Sequence, residues 1–187
     1  MTATPTILIV VGSTRQGSFN HALADEAAKA LEGKANARFL DYTDVPFYEQ
    51  GIEFPAPEAV ARVRGEVEAA DAVWFFTPEY NFSYPGLLKN LIDWLSRPLD
   101  PTFQDMTTAI AGKKVAIASA TGKSAGAGVQ AKLSELLGFV KAEVLDEPKV
   151  GVVLPAEAFM TGAYAPSDED KAAVAAQAEA LLAFIAR

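Results

Sequence analysis

Val10-Val11-Gly12-Ser13-Thr14-Arg15-Gln16-Gly17-Ser18-Phe19-Asn20 is the stretch on which the rest of the chain turns. Before it, Ile7 to Val11 is an unbroken apolar run, the pattern of a short strand buried on both faces. After it, Phe19, Leu23, Ala27 and Leu31 recur at helical spacing and mark one face of a helix. Between them lies a turn with two glycines, several hydroxyls, an amide and one arginine. A strand, such a turn and a helix N-terminus make an anion site, because the first N–H groups of the helix are free and its dipole favours negative charge.

The anion is narrowed by what the turn lacks. The Gly12 and Gly17 spacing fits a Walker A loop, but Ser18 and Phe19 stand where a lysine and a magnesium-binding hydroxyl would follow. A dinucleotide fingerprint needs glycine at position 14, and Thr14 occupies it. What remains is a hydroxyl-rich cradle with a single cation, suited to one terminal phosphate monoester such as that of FMN. The plainer alternative is a polar strand-to-helix turn in which Ser18 merely caps the helix.

Composition sets bounds on the rest. The chain has 187 residues, half of them apolar, and reads as a single domain over 1–187. A net charge of −8 without a basic run argues against nucleic acid or an anionic membrane as partner. There are no cysteines, hence no disulfide framework and no redox thiol. The start, Met-Thr-Ala-Thr-Pro, has no basic region, and no stretch approaches the roughly 20 apolar residues of a membrane span. The expectation is a cytoplasmic protein.

Along the chain, strand and helix patterns alternate. Ala37 to Asp41 reads as a second strand. Residues 43–57 form a connection with three prolines and Phe47, Tyr48, Ile52 and Phe54, to be a lid, a contact surface or a flap packed on its own domain. Val60, Val63, Val67 and Ala70 mark a helix, and Ala72 to Thr77 a third buried strand. It runs into Pro78-Glu79-Tyr80-Asn81-Phe82-Ser83-Tyr84-Pro85-Gly86, followed by a helix to Leu95 whose Trp94 lies off the main apolar stripe. That surplus apolar surface predicts a subunit contact. Lys114 to Ser119 is the fourth strand and meets a small-residue loop, 120–128. A short strand near Val144 comes fifth, with Val150 to Leu154 extended nearby, and a last helix starts at about Asp168 behind a Ser167/Asp170 capping box. Such alternation implies a parallel sheet covered on both faces.

In a sheet of this kind ligands bind at the carboxyl ends of strands where the winding reverses, between strands 1 and 3 for the order 2-1-3-4-5. The two most informative loops follow those two strands. Gly12 to Asn20 together with Pro78-Glu-Tyr-Asn-Phe-Ser-Tyr-Pro-Gly-Leu-Leu-Lys-Asn-Leu-Ile-Asp-Trp94 resembles the NADPH-dependent FMN reductase family, which includes quinone and chromate reductases and some azoreductases. The resemblance implies a flavodoxin-like α/β fold, a five-stranded parallel sheet with helices on both faces. It also implies bound FMN, NADPH or NADH as donor, and a homodimer or homotetramer with flavin sites near the interface. By the same resemblance Ser13, Arg15, Ser18 and Asn20 hold the phosphate, with Thr14 and Phe19 in the same loop. Pro78, Glu79, Tyr80 and Asn81 border the isoalloxazine, and Ser119 and Gly122 meet the ring from the third loop. Lys123 and Ser124 depart from the small residues usual there.

Flavin N5 carries the hard step in such a protein, so no catalytic side chain and no metal are expected. The lone histidine, His21, falls inside the first helix and reads as structural, and Asp168-Glu169-Asp170 reads as a helix start rather than a metal loop. The expected cycle is ping-pong: hydride from NAD(P)H to FMN, then to a quinone, chromate, azo or similar small-molecule acceptor. The rival reading is a flavodoxin-type electron carrier without its own NAD(P)H turnover.

Overall fold

The computed structural model describes residues 4–187. β1 (Thr6–Val11) and β3 (Ala72–Phe76) are rich in β-branched and aromatic side chains, which suit a pleated surface, and their interiors are fully buried. Around them lie β2 (Asn36–Phe39) and β4 (Lys114–Thr121), giving the order β2-β1-β3-β4 with every pair parallel. Val11 is level with Phe76, and Phe76 with Ala118, so β1 and β3 end at one height while β4 runs on to Thr121. The sheet order is therefore the one expected.

The fifth position is split. β5 (Glu143–Val144) pairs with Lys114 and Val115, whereas β6 (Val150–Val153) pairs with Ala118 to Thr121. Pro148, which lacks an N–H, lies in the interruption. The expected five-stranded sheet thus carries a sixth strand, and the extended run after Val150 belongs to it.

Alternation along the strands sorts the core into two layers. Leu8, Val10, Val73, Phe75, Val115 and Ile117 face α2 (Glu58–Ala69), α3 (Gly86–Leu95) and α4 (Ala127–Phe139). Ile7, Ile9, Trp74, Phe76, Ala116 and Ala118 face α1 (Phe19–Ala30) and α6 (Asp168–Ile185). Buried Gln177 of α6 accepts from Trp74 Nε1 at 2.8 Å and donates to Ile117 O at 3.1 Å, fixing that helix on the sheet. Its capping box forms as expected: Ser167 Oγ accepts from Asp170 N, and Asp170 Oδ2 accepts from Ser167 N. A six-residue helix, α5 (Ala156–Thr161), stands between β6 and α6 without having been foreseen.

Trp94 is not surplus surface. It is fully buried, donates to Pro46 O at 2.8 Å and meets Tyr48 edge-on at 4.9 Å between ring centres. Asn90 fixes the same segment, donating to Pro46 O and accepting from Tyr48 N. Farther along, buried Glu53 takes a two-point contact from Arg97 at 2.7 and 3.2 Å. The connection 43–57 is thus a flap stapled to α3 of its own chain, and the apolar motive for a contact through Trp94 disappears. Among the described residues no helix is long and apolar enough to cross a membrane.

Candidate active site

The loops after β1, β3 and β4 rise from one edge of the sheet, at the reversal between β1 and β3. Gly12 N donates to Phe76 O at 2.7 Å and closes the base of the first loop onto the third strand. A β-carbon on Gly12 would sit 2.8 Å from Leu88 Cδ1 of α3, so any larger residue would have to push that side chain aside. Beyond it, Ser18 is buried but makes no capping bond, and the first bond in α1 is Ala22 N to Ser18 O. The N–H groups of Phe19, Asn20 and His21 therefore precede the helix ladder with no side chain capping them. Ser18 as an ordinary cap, the plainer reading, is not what forms.

A cleft of about 210 Å³ lies among the three loops. From the first loop it is lined by Ser13, Arg15, Ser18, Phe19 and Asn20, from the second by Pro78, Glu79 and Tyr80, and from the third by Gly122. Thr14 opens instead onto an adjoining groove of about 670 Å³, with Gln16, His21, Asp25 and Tyr164. The two spaces share Ser13, Arg15 and Ser18.

Several side chains foreseen as ligand contacts spend their polar atoms elsewhere. Asn20 donates through Nδ2 to Ala120 O at 3.0 Å and accepts at Oδ1 from Ala120 N at 2.8 Å, tying α1 to the end of β4. Ser119 is fully buried, its hydroxyl donated to Thr77 O at 2.6 Å. Asn81 is exposed at the tip of a turn and does not line the cleft. Glu79 accepts from the Ser124 hydroxyl and from Val129 N. Arg15 lies over the Phe19 ring at 4.3 Å and donates to the Gln16, Gly17 and Gly162 carbonyls, with its Nε–H unengaged.

Sequence reasoning missed one wall. Phe159 of α5 lines the cleft and meets Phe19 edge-on at 5.8 Å, while Tyr164 packs on Phe19 from 6.2 Å. Burial, and then the hydrogen bond to Asp170, push the Tyr164 phenol above its ordinary pKa. The signal was the pair flanking α5, Pro155 before it and Gly162 after it, the usual punctuation of a short helix.

These residues fit a flavin mononucleotide. Free N–H groups, hydroxyls and an arginine come from the first loop, and Pro78 and Tyr80 offer flat apolar surface from the second. Fold and site thus define a flavodoxin-like flavin protein. The chain belongs to the NADPH-dependent FMN reductase family, whose model matches residues 5–154. It is 32% identical over 182 residues to an NAD(P)H-dependent FMN reductase of Pseudomonas aeruginosa, covering 97% of this chain and 95% of the relative. It is 37% identical over 150 residues to a quinone reductase of Escherichia coli, covering 76% and 74%. The flavoenzyme NAD(P)H:(acceptor) oxidoreductase FerB of Paracoccus denitrificans superposes with a TM-score of 0.84 at 31% identity over 97% of each chain. An archaeal flavodoxin, at TM-score 0.61 and 13% identity, shares the fold alone. The protein is accordingly an oxidoreductase with FMN as cofactor and NAD(P)H as electron donor.

Proposed function

We propose that NAD(P)H and a quinone-type acceptor use the cleft in turn, each exchanging hydride with FMN held there. The observation that carries this reading is the convergence of the three loops on one cleft, whose lining combines hydroxyls and an arginine from the first loop with Pro78 and Tyr80 from the second. Bound FMN supplies the two-electron chemistry, and the chain supplies placement. Ser13, Arg15, Ser18 and the first N–H groups of α1 hold the phosphate; Phe19 backs Arg15. Pro78 and Tyr80 limit the plane open to the ring. Asn20 and Ser119 act one layer below, Asn20 tying the base of the first loop to that of the third and Ser119 tying the third to the second. A β-carbon on Gly122 would meet no atom within 4 Å, so this side of the cleft stays open to donor and acceptor alike.

An open face selects acceptors weakly, so chromate and azo compounds belong to the same reading beside quinones. The setting is the cytoplasm, where NAD(P)H is supplied. The assembly is a homodimer or homotetramer, supported by Phe47, Phe82 and Phe139, which are exposed at 84, 74 and 84%. A monomer by light scattering at micromolar concentration would contradict that assembly. The test of function is anaerobic: NADPH should bleach the visible absorption of the FMN-loaded protein, and a benzoquinone should restore it. Colour that persists under NADPH would indicate an electron carrier instead.

A further inference from the structure

Glu79 is the acidic side chain of the second loop, yet its carboxylate is turned toward α4 rather than left free. Oε2 accepts from Val129 N at 2.8 Å, and Oε1 accepts from the Ser124 hydroxyl at 2.9 Å. Val129 lies in the first turn of α4, ahead of the first helix bond, Gln130 N to Gly126 O. The residue at the cap position is Gly126, which has no side chain to offer. Glu79 therefore does from another loop what a capping side chain does locally, and the helix dipole favours its charge there. A β-carbon on Gly128 would lie 2.9 Å from Glu79 Oε2, so a side chain there would displace the carboxylate from its seat.

A second observation concerns the turn that Glu79 leads into. Tyr80 and Ser83 exchange two backbone bonds, 2.9 and 3.0 Å, across Asn81 and Phe82. Both central residues are left-handed, with φ 51° and 59°. Such a turn ordinarily takes Asn-Gly, and a β-carbon makes the second position unfavourable. The Phe82 ring is 74% exposed, so burial of its own side chain does not offset the strain. Strain of this kind persists where surrounding contacts over-determine the backbone. The Glu79 contacts lie immediately before this turn and anchor the segment that carries it.

We propose that Glu79 is a positioning residue which, with Ser124, clamps the second loop to the N-terminus of α4 and holds Pro78 and Tyr80 as a fixed wall of the flavin cleft. This rests on the cleft being the flavin site. It also gives Ser124 a purpose: the departure from small residues in the third loop supplies the hydroxyl that the clamp uses.

The test compares Glu79→Ala, Glu79→Gln and Ser124→Ala with the parent in titrations of FMN and riboflavin followed by flavin fluorescence. Glu79→Ala removes both bonds of the clamp and should weaken both flavins by roughly tenfold. The two should suffer alike, since the wall faces the ring and not the phosphate. Glu79→Gln can still accept from Val129 N and donate to Ser124 Oγ, so it should stay close to the parent. Ser124→Ala should lose about threefold, and the double variant Glu79→Ala/Ser124→Ala should be no worse than Glu79→Ala alone. Parent-like flavin binding in Glu79→Ala, equal damage in Glu79→Gln and Glu79→Ala, or additive losses would overturn the proposal. If Glu79→Ala does not fold, Ser124→Ala decides, and an unchanged affinity there counts against the clamp. Amide exchange at Val129 in flavin-free protein reads the clamp by itself: protected in the parent and Glu79→Gln, fast in Glu79→Ala. Failure of the parent to bind FMN would strike the site reading, whereas equal Val129 exchange in all variants would strike the clamp.

Discussion

Tyr42 shows at the level of one side chain how the first loop is held from below. Its hydroxyl donates to Val11 O at 2.7 Å, at the point where β1 gives way to the loop, and the residue is 3% exposed. Burial pushes the phenol above its ordinary pKa. A raised folded-state value means the group favours folding fully below the ordinary tyrosine range and loses that contribution as pH rises beyond about 10. Tyr42→Phe should therefore cost about 1 kcal/mol at neutral pH and should flatten the fall in stability above about pH 10. Some fall should remain, because Tyr164 is raised as well. Urea unfolding at a series of alkaline pH values checks this; identical pH profiles for variant and parent would contradict it. The same scale marks a limit of sequence reading. Asn20 and Ser119 were legible as polar residues at the right loops, but not which way their polar atoms turn. Both turn to backbone, where a lost partner would leave a buried group unpaired.

Among the elements, α6 was legible almost to the residue, because a capping box announces a helix start before any apolar spacing does. Ser167→Ala removes the acceptor for Asp170 N and should lower stability by about 1 kcal/mol. The urea midpoint should move with its slope unchanged, and an unmoved midpoint would show that the cap contributes nothing. α5 and the divided fifth strand were less legible for a common reason. Two to six residues carry too little periodicity to declare themselves, and their place is set by the length of β4 and by the cleft they close. The flap over Trp94 was legible as a proline-rich aromatic connection, but its destination was not. An apolar residue off a helix stripe looks the same whether its own chain or another covers it, and here Pro46 and Tyr48 cover it.

For the molecule as a whole, alternating strand and helix patterns allowed few topologies, and the order β2-β1-β3-β4 is the one formed. That order brings the loops after β1, β3 and β4 to one edge and makes the cleft a consequence of the winding. An archaeal flavodoxin shares the fold, so the fold does not separate a reductase from an electron carrier; the relatives at 31–37% identity do. The central claim is that the loop after β1 grips FMN by its phosphate. Arg15→Ala tests it most directly, since the variant removes the one cation of that loop and riboflavin offers the same ring without the phosphate. Loss of a charge-assisted bond worth about 1.5–3 kcal/mol should weaken FMN roughly ten- to a hundredfold and leave the weaker binding of riboflavin nearly unchanged. Equal loss for the two flavins, or loss for neither, would contradict the claim and return Arg15 to the carbonyls of Gln16, Gly17 and Gly162 as a loop strut.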